Sequence, residues 1–394
     1  MSISTLHIAE RVRDLPESAT VSIMDQARKL KAAGKSVVDL SGGDPDFPTA
    51  PHVVSAAIEA LQSGFTHYTP SRGIPELLEA ISKKLEIDNQ AVYSPKNEIL
   101  VMPGGKQALF ITTQAVLNPG DEVILFDPCW VSYAPCAQLA GAKVIYVQME
   151  QATTPEELQF RLEKAINQHT RLIIVNTPNN PTGQMWTLEQ LQVVANAAQT
   201  HDLLVISDEI YETLSFDGTR HISIAGLPEM NKRTFVLNGL SKSHAMTGWR
   251  LGYVAGPNPY ISQMLKIHQH STTCAASFVQ KAAVAALEGP QDYTQYMVSR
   301  YRIRRDALVS ALNRIPGVAC QSPQGAFYAF PNISKTGLDS VVFSSLLLER
   351  EGVAVTPGIA FGPAGEGFVR LSFANSDEIL ADGADRIHRF VTSL

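Results

Sequence analysis

Six short apolar runs mark the middle of the chain: "NEILVMPGG" (97–105), "DEVILFDP" (121–128), "AKVIYVQM" (142–149), "RLIIVNTP" (171–178), "DLLVISDE" (202–209) and "RTFVLNGLS" (233–241). Their apolar residues are consecutive rather than alternating, which predicts strands buried on both faces. Between several of them lie segments with helical spacing, such as "KQALFITTQAVL" and "TLEQLQVVANAAQTH". Strands separated by helices predict an α/β fold with a largely parallel sheet covered on both sides and right-handed crossovers. The ends read differently. Residues 1–47 and 286–394 hold long helical patterns and a few weak strands, among them "AFYAFPNI" and "GFVRLSFA". Both ends are expected to join as a smaller domain beside a large one spanning 48–285. The stretch "LSGGDPDFPTAP" has the Gly, Pro and Asp of a hinge between them.

Composition narrows the function classes. The 394 residues are 45% hydrophobic and 18% charged, as in an ordinary globular protein. Net charge is −6 with acids and bases interspersed, so no basic face points to nucleic acid. The run "RYRIRR" at 300–305 reads as a solvated helix face. No stretch approaches the length of an apolar membrane span, and the N-terminus lacks the apolar core of a signal peptide. Cysteines at 129, 136, 274 and 320 lack paired spacing, which argues against a zinc site or disulfide framework. The expected location is the cytoplasm.

In open parallel sheets ligands sit beyond the carboxyl ends of the strands. Chemistry-bearing residues follow the apolar runs in that way: Gly104, Gly105 and Lys106; Trp130; Asn176 and Asn180; Asp208 and Tyr211; and Lys242. Five strand ends therefore point to one pocket. The chain has no G-x-G-x-x-G, P-loop, G-x-S-x-G or H-E-x-x-H motif. "PGGKQAL" has the wrong spacing for a P-loop, yet a Gly-Gly turn entering a helix can cup a phosphate with backbone N–H groups. An amine, a buried carboxylate, an arginine and an aromatic ring suit a phosphorylated aldehyde with a basic ring nitrogen, the pattern for pyridoxal phosphate.

The stretches "LSGGDPDFPT", "HYTPSRGIPELLEAI", "PGGKQAL", "NPGDEVILFDPCWVSY", "VNTPNNPTG", "VISDEIYE", "NGLSKSHAMTGWRLGY" and "FVRLSFA" lie in order between about residues 38 and 375. Together they resemble the class I (fold-type I) aminotransferases, in the bacterial aspartate aminotransferase-like branch. The resemblance implies a seven-stranded, mostly parallel sheet between helices, a smaller α+β domain, and pyridoxal 5'-phosphate as cofactor. Lys242 matches the lysine that condenses with the cofactor aldehyde and then moves the substrate Cα proton. Arg250 matches the phosphate-binding arginine, with Gly104, Gly105, Lys106 and Ser241 around the same phosphate. Asp208 matches the carboxylate paired with the pyridine nitrogen. Tyr211 and Asn180 resemble the pair at the phenolic oxygen, and Trp130 the residue stacked on the ring. Arg370 resembles the clamp for the substrate α-carboxylate, with Gly43 supplying backbone beside it. Tyr68 in "HYTP" matches a tyrosine that reaches the phosphate across a subunit boundary, implying a homodimer with shared sites.

Substrate identity rests on fewer residues. In this branch a lysine at the position of Lys106 is associated with the distal carboxylate of dicarboxylic substrates. That favours aspartate or glutamate with 2-oxoglutarate or oxaloacetate. Pro16 and Glu17 stand where prephenate-accepting relatives tend to carry a lysine, which argues against prephenate. Cys129, His244 and Cys274 depart from the family pattern, either as packing substitutions or as marks of altered specificity. Aromatic or neutral amino-acid specificity, an eliminating lyase and a ring-forming synthase remain open on the same residues; a non-catalytic cofactor-sensing regulator would need features absent from the sequence.

Overall fold

A computed structural model describes residues 8–13, 15, 19–150 and 153–394. Pro16 and Glu17 lie outside the described residues. Strand β1 (Val38–Asp39) belongs to the N-terminal segment. The central sheet follows with β2 (Ile99–Met102), β3 (Glu122–Asp127), β4 (Lys143–Gln148), β5 (Thr170–Asn176), β6 (Leu204–Asp208), β7 (Thr234–Gly239) and β8 (Gly252–Ala255). The C-terminal part holds β9 (Tyr328–Ala329), β10 (Val353–Ala354), β11 (Thr356–Pro357) and β12 (Val369–Ser372).

Each of the six apolar runs forms a strand, and the sheet has seven in the order β2-β8-β7-β6-β5-β3-β4. Pairings among β7, β6, β5, β3 and β4 are parallel; β8 runs antiparallel to both β2 and β7. The inner strands of this sheet are largely apolar because both faces are covered, whereas the edge strand β4 is mostly open to solvent, with Lys143, Tyr146 and Gln148 exposed, so its run is not buried on both faces as the sequence predicts. Leu100, Met102, Val123 and Leu125 pack on one face with helices Gly105–Val116 and Asn258–Ser271. Their neighbours Ile99 and Val101 turn to the other face, against helices Pro51–Gln62, Pro75–Asn89 and Ser277–Glu288. Ile124 and Phe126 share that face with helices Pro155–Ala165 and Leu188–Thr200. Capping boxes at Thr154 and Thr187 fix where these last two helices begin.

The chain enters β4 from β3 on one side, and β5 returns to the other side of β3. This reversal opens a crevice beyond the carboxyl ends of β3 and β5. Above it lies a second core joining both chain ends. β1 pairs in parallel with β10, and the Ser372 N–H donates to the Leu40 carbonyl at 2.7 Å. β11, β12 and β9 form a three-stranded antiparallel sheet. Val38 and Leu40 pack there with Tyr301, Phe327, Phe343, Phe373 and Phe390, and so do Tyr211, Leu214 and Phe216 from the segment after β6. The run at 300–305 is therefore not a solvated face: Tyr301, Arg304 and Arg305 are buried, the arginines paired with Asp46, Asp377 and Asp217. The loop leaving the central sheet thus inserts its aromatics into the core formed by the two ends.

Candidate active site

The strand ends converge on a cavity of about 360 Å³. Asn176 ends β5, Asp208 ends β6, and Ser241 and Lys242 follow β7. Gly105 opens a helix, and Arg250 closes a short 3-10 turn just before β8. From the other core come Arg370 on β12 and the Ser41–Asp44 segment after β1. The lining includes Gly43, Gly105, Lys106, Trp130, Asn180, Asp208, Tyr211, Ser241, Lys242, Arg250 and Arg370 from the sequence-predicted set. Gly104 lies directly beneath: with φ at +91°, its missing Cβ would stand 2.6 Å from Arg250 Nη2. Glycine at that turn lets the guanidinium approach the helix N-terminus. A Cβ on Gly43 would stand 2.6 Å from the Tyr328 hydroxyl, which accounts for glycine there.

Tyr68 lies apart from the cavity lining and is 86% exposed. Cys129, His244 and Cys274 do not line the cavity either. His244 is buried facing away, with Nδ1 2.7 Å from Ser243 Oγ and Nε2 3.3 Å from Gln291 Oε1. Burial pushes its pKa down to about 4, so it is neutral at physiological pH.

Lys242 and Asp208 are tuned in opposite directions by the same cause. Burial brings the Lys242 ammonium down to about 8; Asp44 opposes that shift, while Arg370, Arg250 and Lys106 add to it. The amine donates to the Gly43 carbonyl. Burial raises the Asp208 carboxyl to about 6, although the Tyr133 hydroxyl donates to Oδ2 at 2.7 Å and the Ile210 N–H to Oδ1 at 3.3 Å. A carboxylate so placed gains most from a cation brought against it.

Arg370 is 3% exposed and pairs with no acid among the described residues. Nη1 donates to Asn180 Oδ1 at 3.0 Å and Nη2 to the Ser41 carbonyl at 2.6 Å. Its guanidinium lies over the Tyr328 and Phe361 rings at 4.4 and 4.9 Å from their centroids. Nε is buried without a hydrogen-bond partner. A planar cation held by neutral groups is suited to an incoming carboxylate. The Tyr211 and Tyr328 hydroxyls stand 2.8 Å apart, and the Lys106 ammonium lies 5.2 Å from the centroid of a Trp130 ring.

Sequence reasoning missed Tyr133, Tyr328, Asp44, Ser41, Asn238 and Thr247, which also line the cavity. Tyr133 had a signal in its place three residues after Trp130, at the start of helix Tyr133–Leu139. Tyr328 had none beyond a weak strand pattern. Behind the sheet, Glu209, Glu212 and His221 gather ligand atoms within 4.8 Å, a spacing open to a metal. Their charges are already answered: Glu212 meets Lys84, Asn89 and Asn238, and Glu209 accepts from Ser207, Ser223 and Asn89.

The donor set fits pyridoxal phosphate. A buried amine of lowered pKa faces the aldehyde role, Asp208 the ring nitrogen, and Arg250 with the Gly104–Gly105 turn the phosphate. Residues 35–387 match the family model described as "Aminotransferase class I and II". The aspartate aminotransferase of Geobacillus stearothermophilus is 43% identical over 98% of this chain and 99% of its own. The Thermus thermophilus aspartate aminotransferase with maleate superposes with a TM-score of 0.92, at 40% identity over 98% of this chain and 100% of its own. An aromatic aminotransferase from Pyrococcus horikoshii gives a TM-score of 0.87, at 42% identity over 93% of this chain and 99% of its own. Likeness of this extent, on a site so equipped, establishes that the chain belongs to the class I and II aminotransferases and is a pyridoxal-phosphate-dependent transaminase.

Proposed function

We propose that the enzyme transfers the amino group of aspartate or glutamate to 2-oxoglutarate or oxaloacetate by a ping-pong route. The observation carrying this reading is the placement of three cations besides Lys242 around one cavity: Arg370, Arg250 and Lys106. A neutral amino acid and a phosphate need two such cations; a dicarboxylic substrate needs the third. Arg370 holds the α-carboxylate and Arg250 the phosphate. Lys106, exposed beside Trp130, is left for the distal carboxylate. Several relatives named aspartate aminotransferase support the same choice.

When bound, the cofactor supplies an aldehyde and an electron sink. Lys242 Nζ, poised near neutrality, takes up the substrate Cα proton and releases it again. Asp208 would keep the ring nitrogen cationic, Tyr211 and Asn180 would serve the phenolic oxygen, and Trp130 would cover the ring. Gly104, Gly105 and Ser241 add donors at the phosphate, and Gly43 leaves room beside Arg370. Tyr68, so exposed in one protomer, completes the site of a partner protomer in a homodimer. Of the described residues, those up to 47 act as an N-terminal arm and part of the small domain, 286–394 as the C-terminal part of that domain, and 48–285 as the large domain. Among the described residues no helix is long and apolar enough to cross a membrane, and we place the enzyme in the cytoplasm.

A spectrophotometric panel of aspartate, glutamate, aromatic amino acids, methionine and alanine tests the assignment, each scored for conversion of the bound cofactor to its amine form. Release of a leaving group with return of the aldehyde form would indicate an eliminating enzyme. Lys106→Ala is expected to lower kcat/KM for dicarboxylic substrates by about tenfold or more, and less for neutral ones, since a charged hydrogen bond contributes about 1.5–3 kcal/mol. Equal losses in both classes would remove Lys106 from specificity.

A further inference from the structure

Among the described residues six charged side chains line the cavity: Lys106, Lys242, Arg250 and Arg370 against Asp44 and Asp208. Asp208 is buried and already accepts from Tyr133 and the Ile210 N–H. Asp44 is exposed and faces the same space from the segment that links the two cores. That segment is tied on both sides. The Gly43 carbonyl accepts from Lys242, and Thr247 Oγ1 donates to Asp44 Oδ1 at 2.5 Å. Two residues on, Asp46 accepts from Arg304 at 2.9 Å, and Phe47 packs edge-on against Tyr301 at 5.4 Å. The Asp44 carboxylate is therefore held one residue from the carbonyl that the reactive amine touches.

An amino acid enters with its ammonium and carboxylate on one carbon. If Arg370 takes the carboxylate, the nitrogen must come to the neighbourhood of Lys242, because both amines serve the same aldehyde carbon. Arg370, Arg250 and Lys106 make that neighbourhood unfavourable for another positive charge, and with Asp208 committed to the ring nitrogen, Asp44 is the remaining acid of the cavity among the described residues. We propose that Asp44 is a specificity-determining residue that receives the α-ammonium of the amino donor beside Lys242 and so distinguishes the amino acid from the 2-oxo acid. This inference rests on the aminotransferase reading of the site above. A 2-oxo acid carries a carbonyl in place of the ammonium and has nothing for Asp44 to hold.

The test uses Asp44→Asn and Asp44→Glu holoenzymes. KM is measured separately for the amino donor and the oxo acceptor, and succinate, a dicarboxylate without an amino group, is titrated at equilibrium. For Asp44→Asn the donor KM should rise about fivefold, the upper range for a solvent-reached ion pair. The acceptor KM should hold or fall, and succinate should bind at least as tightly as in wild type. Asp44→Glu should recover most of the donor KM. Parallel changes in both KM values, or an unchanged donor KM, would overturn the role given to Asp44. A wild-type protein that converts none of these amino acids would instead overturn the functional reading, so the two failures are distinct.

Discussion

Lys242→Met should abolish turnover and yet make the cofactor-free protein more stable at neutral pH. The amine that the reaction needs is one that the fold disfavours in its charged form. Burial among Arg370, Arg250 and Lys106 brings its pKa from 10.5 to about 8. At about 1.36 kcal/mol per unit, that difference sets an upper bound of about 3 kcal/mol on the destabilisation at pH 7. Lys242 is only partly removed from solvent by surface area, and its contact with the Gly43 carbonyl is lost in the variant, so about 2 kcal/mol is the working figure. Methionine fills nearly the same volume without a charge.

The sign of the pH dependence follows from which state binds the proton more tightly. The folded pKa lies below the unfolded one, so between about 8 and 10.5 the unfolded chain carries more protons. The penalty is complete below pH 8, shrinks through that window, and is gone above it. Thermal unfolding of cofactor-stripped wild type and variant, at one protein concentration and at pH 7 and 10, reads both features. The variant should melt about 2 °C higher at pH 7, and the gap should narrow at pH 10. A variant that melts no higher at pH 7, or a gap that ignores pH, would refute the claim that desolvation tunes this amine.

Two further substitutions probe the floor of the cavity. Gly104→Ala places a methyl group 2.6 Å from Arg250 Nη2 at a φ of +91°, so both turn and guanidinium must shift. Cofactor dissociation, measured by equilibrium titration of the stripped protein, should weaken at least about tenfold while the far-ultraviolet spectrum is kept. Tyr133→Phe removes the hydroxyl that donates to Asp208, a contact that holds the carboxyl below where burial alone would put it. The Asp208 pKa should then move up from about 6, and the cofactor should be lost on dialysis at pH 6 faster than from wild type, with little difference at pH 8. Equal retention at both pH values would show that the tyrosine does not tune Asp208.

The central sheet was legible because burial on both faces leaves its signature in runs of consecutive apolar residues, and the run at the exposed edge strand β4 is apolar enough to read the same way. Its seventh strand, β8, was not read as one, and the reason is physical. Gly252 begins it, and a Cβ there would stand 2.5 Å from the Gly105 nitrogen. The strand must abut the start of the helix that forms the phosphate turn, so the residue chosen for closeness is one that weakens a strand pattern. Primary site residues were legible for a related reason: Lys242, Asp208 and Asn180 stand where apolar runs break, and a break in such a run is visible locally.

The residues that hold those groups carry no such mark. Tyr133 reaches Asp208 across 75 positions, Arg370 reaches Asn180 across 190, and the Ser41 carbonyl meets Arg370 across 329. Asp44 sat in a stretch that reads as a hinge, and Tyr328 in a strand two residues long. Each becomes functional only when the two chain ends close over the crevice, which is a tertiary event. It follows that specificity in this enzyme should respond to substitutions in the Ser41–Phe47 segment and around β9 and β12 more than to changes at the strand ends. The strand ends fix a chemistry that many substrates share, whereas the closing segment decides which charges face the substrate's own nitrogen and carboxylates.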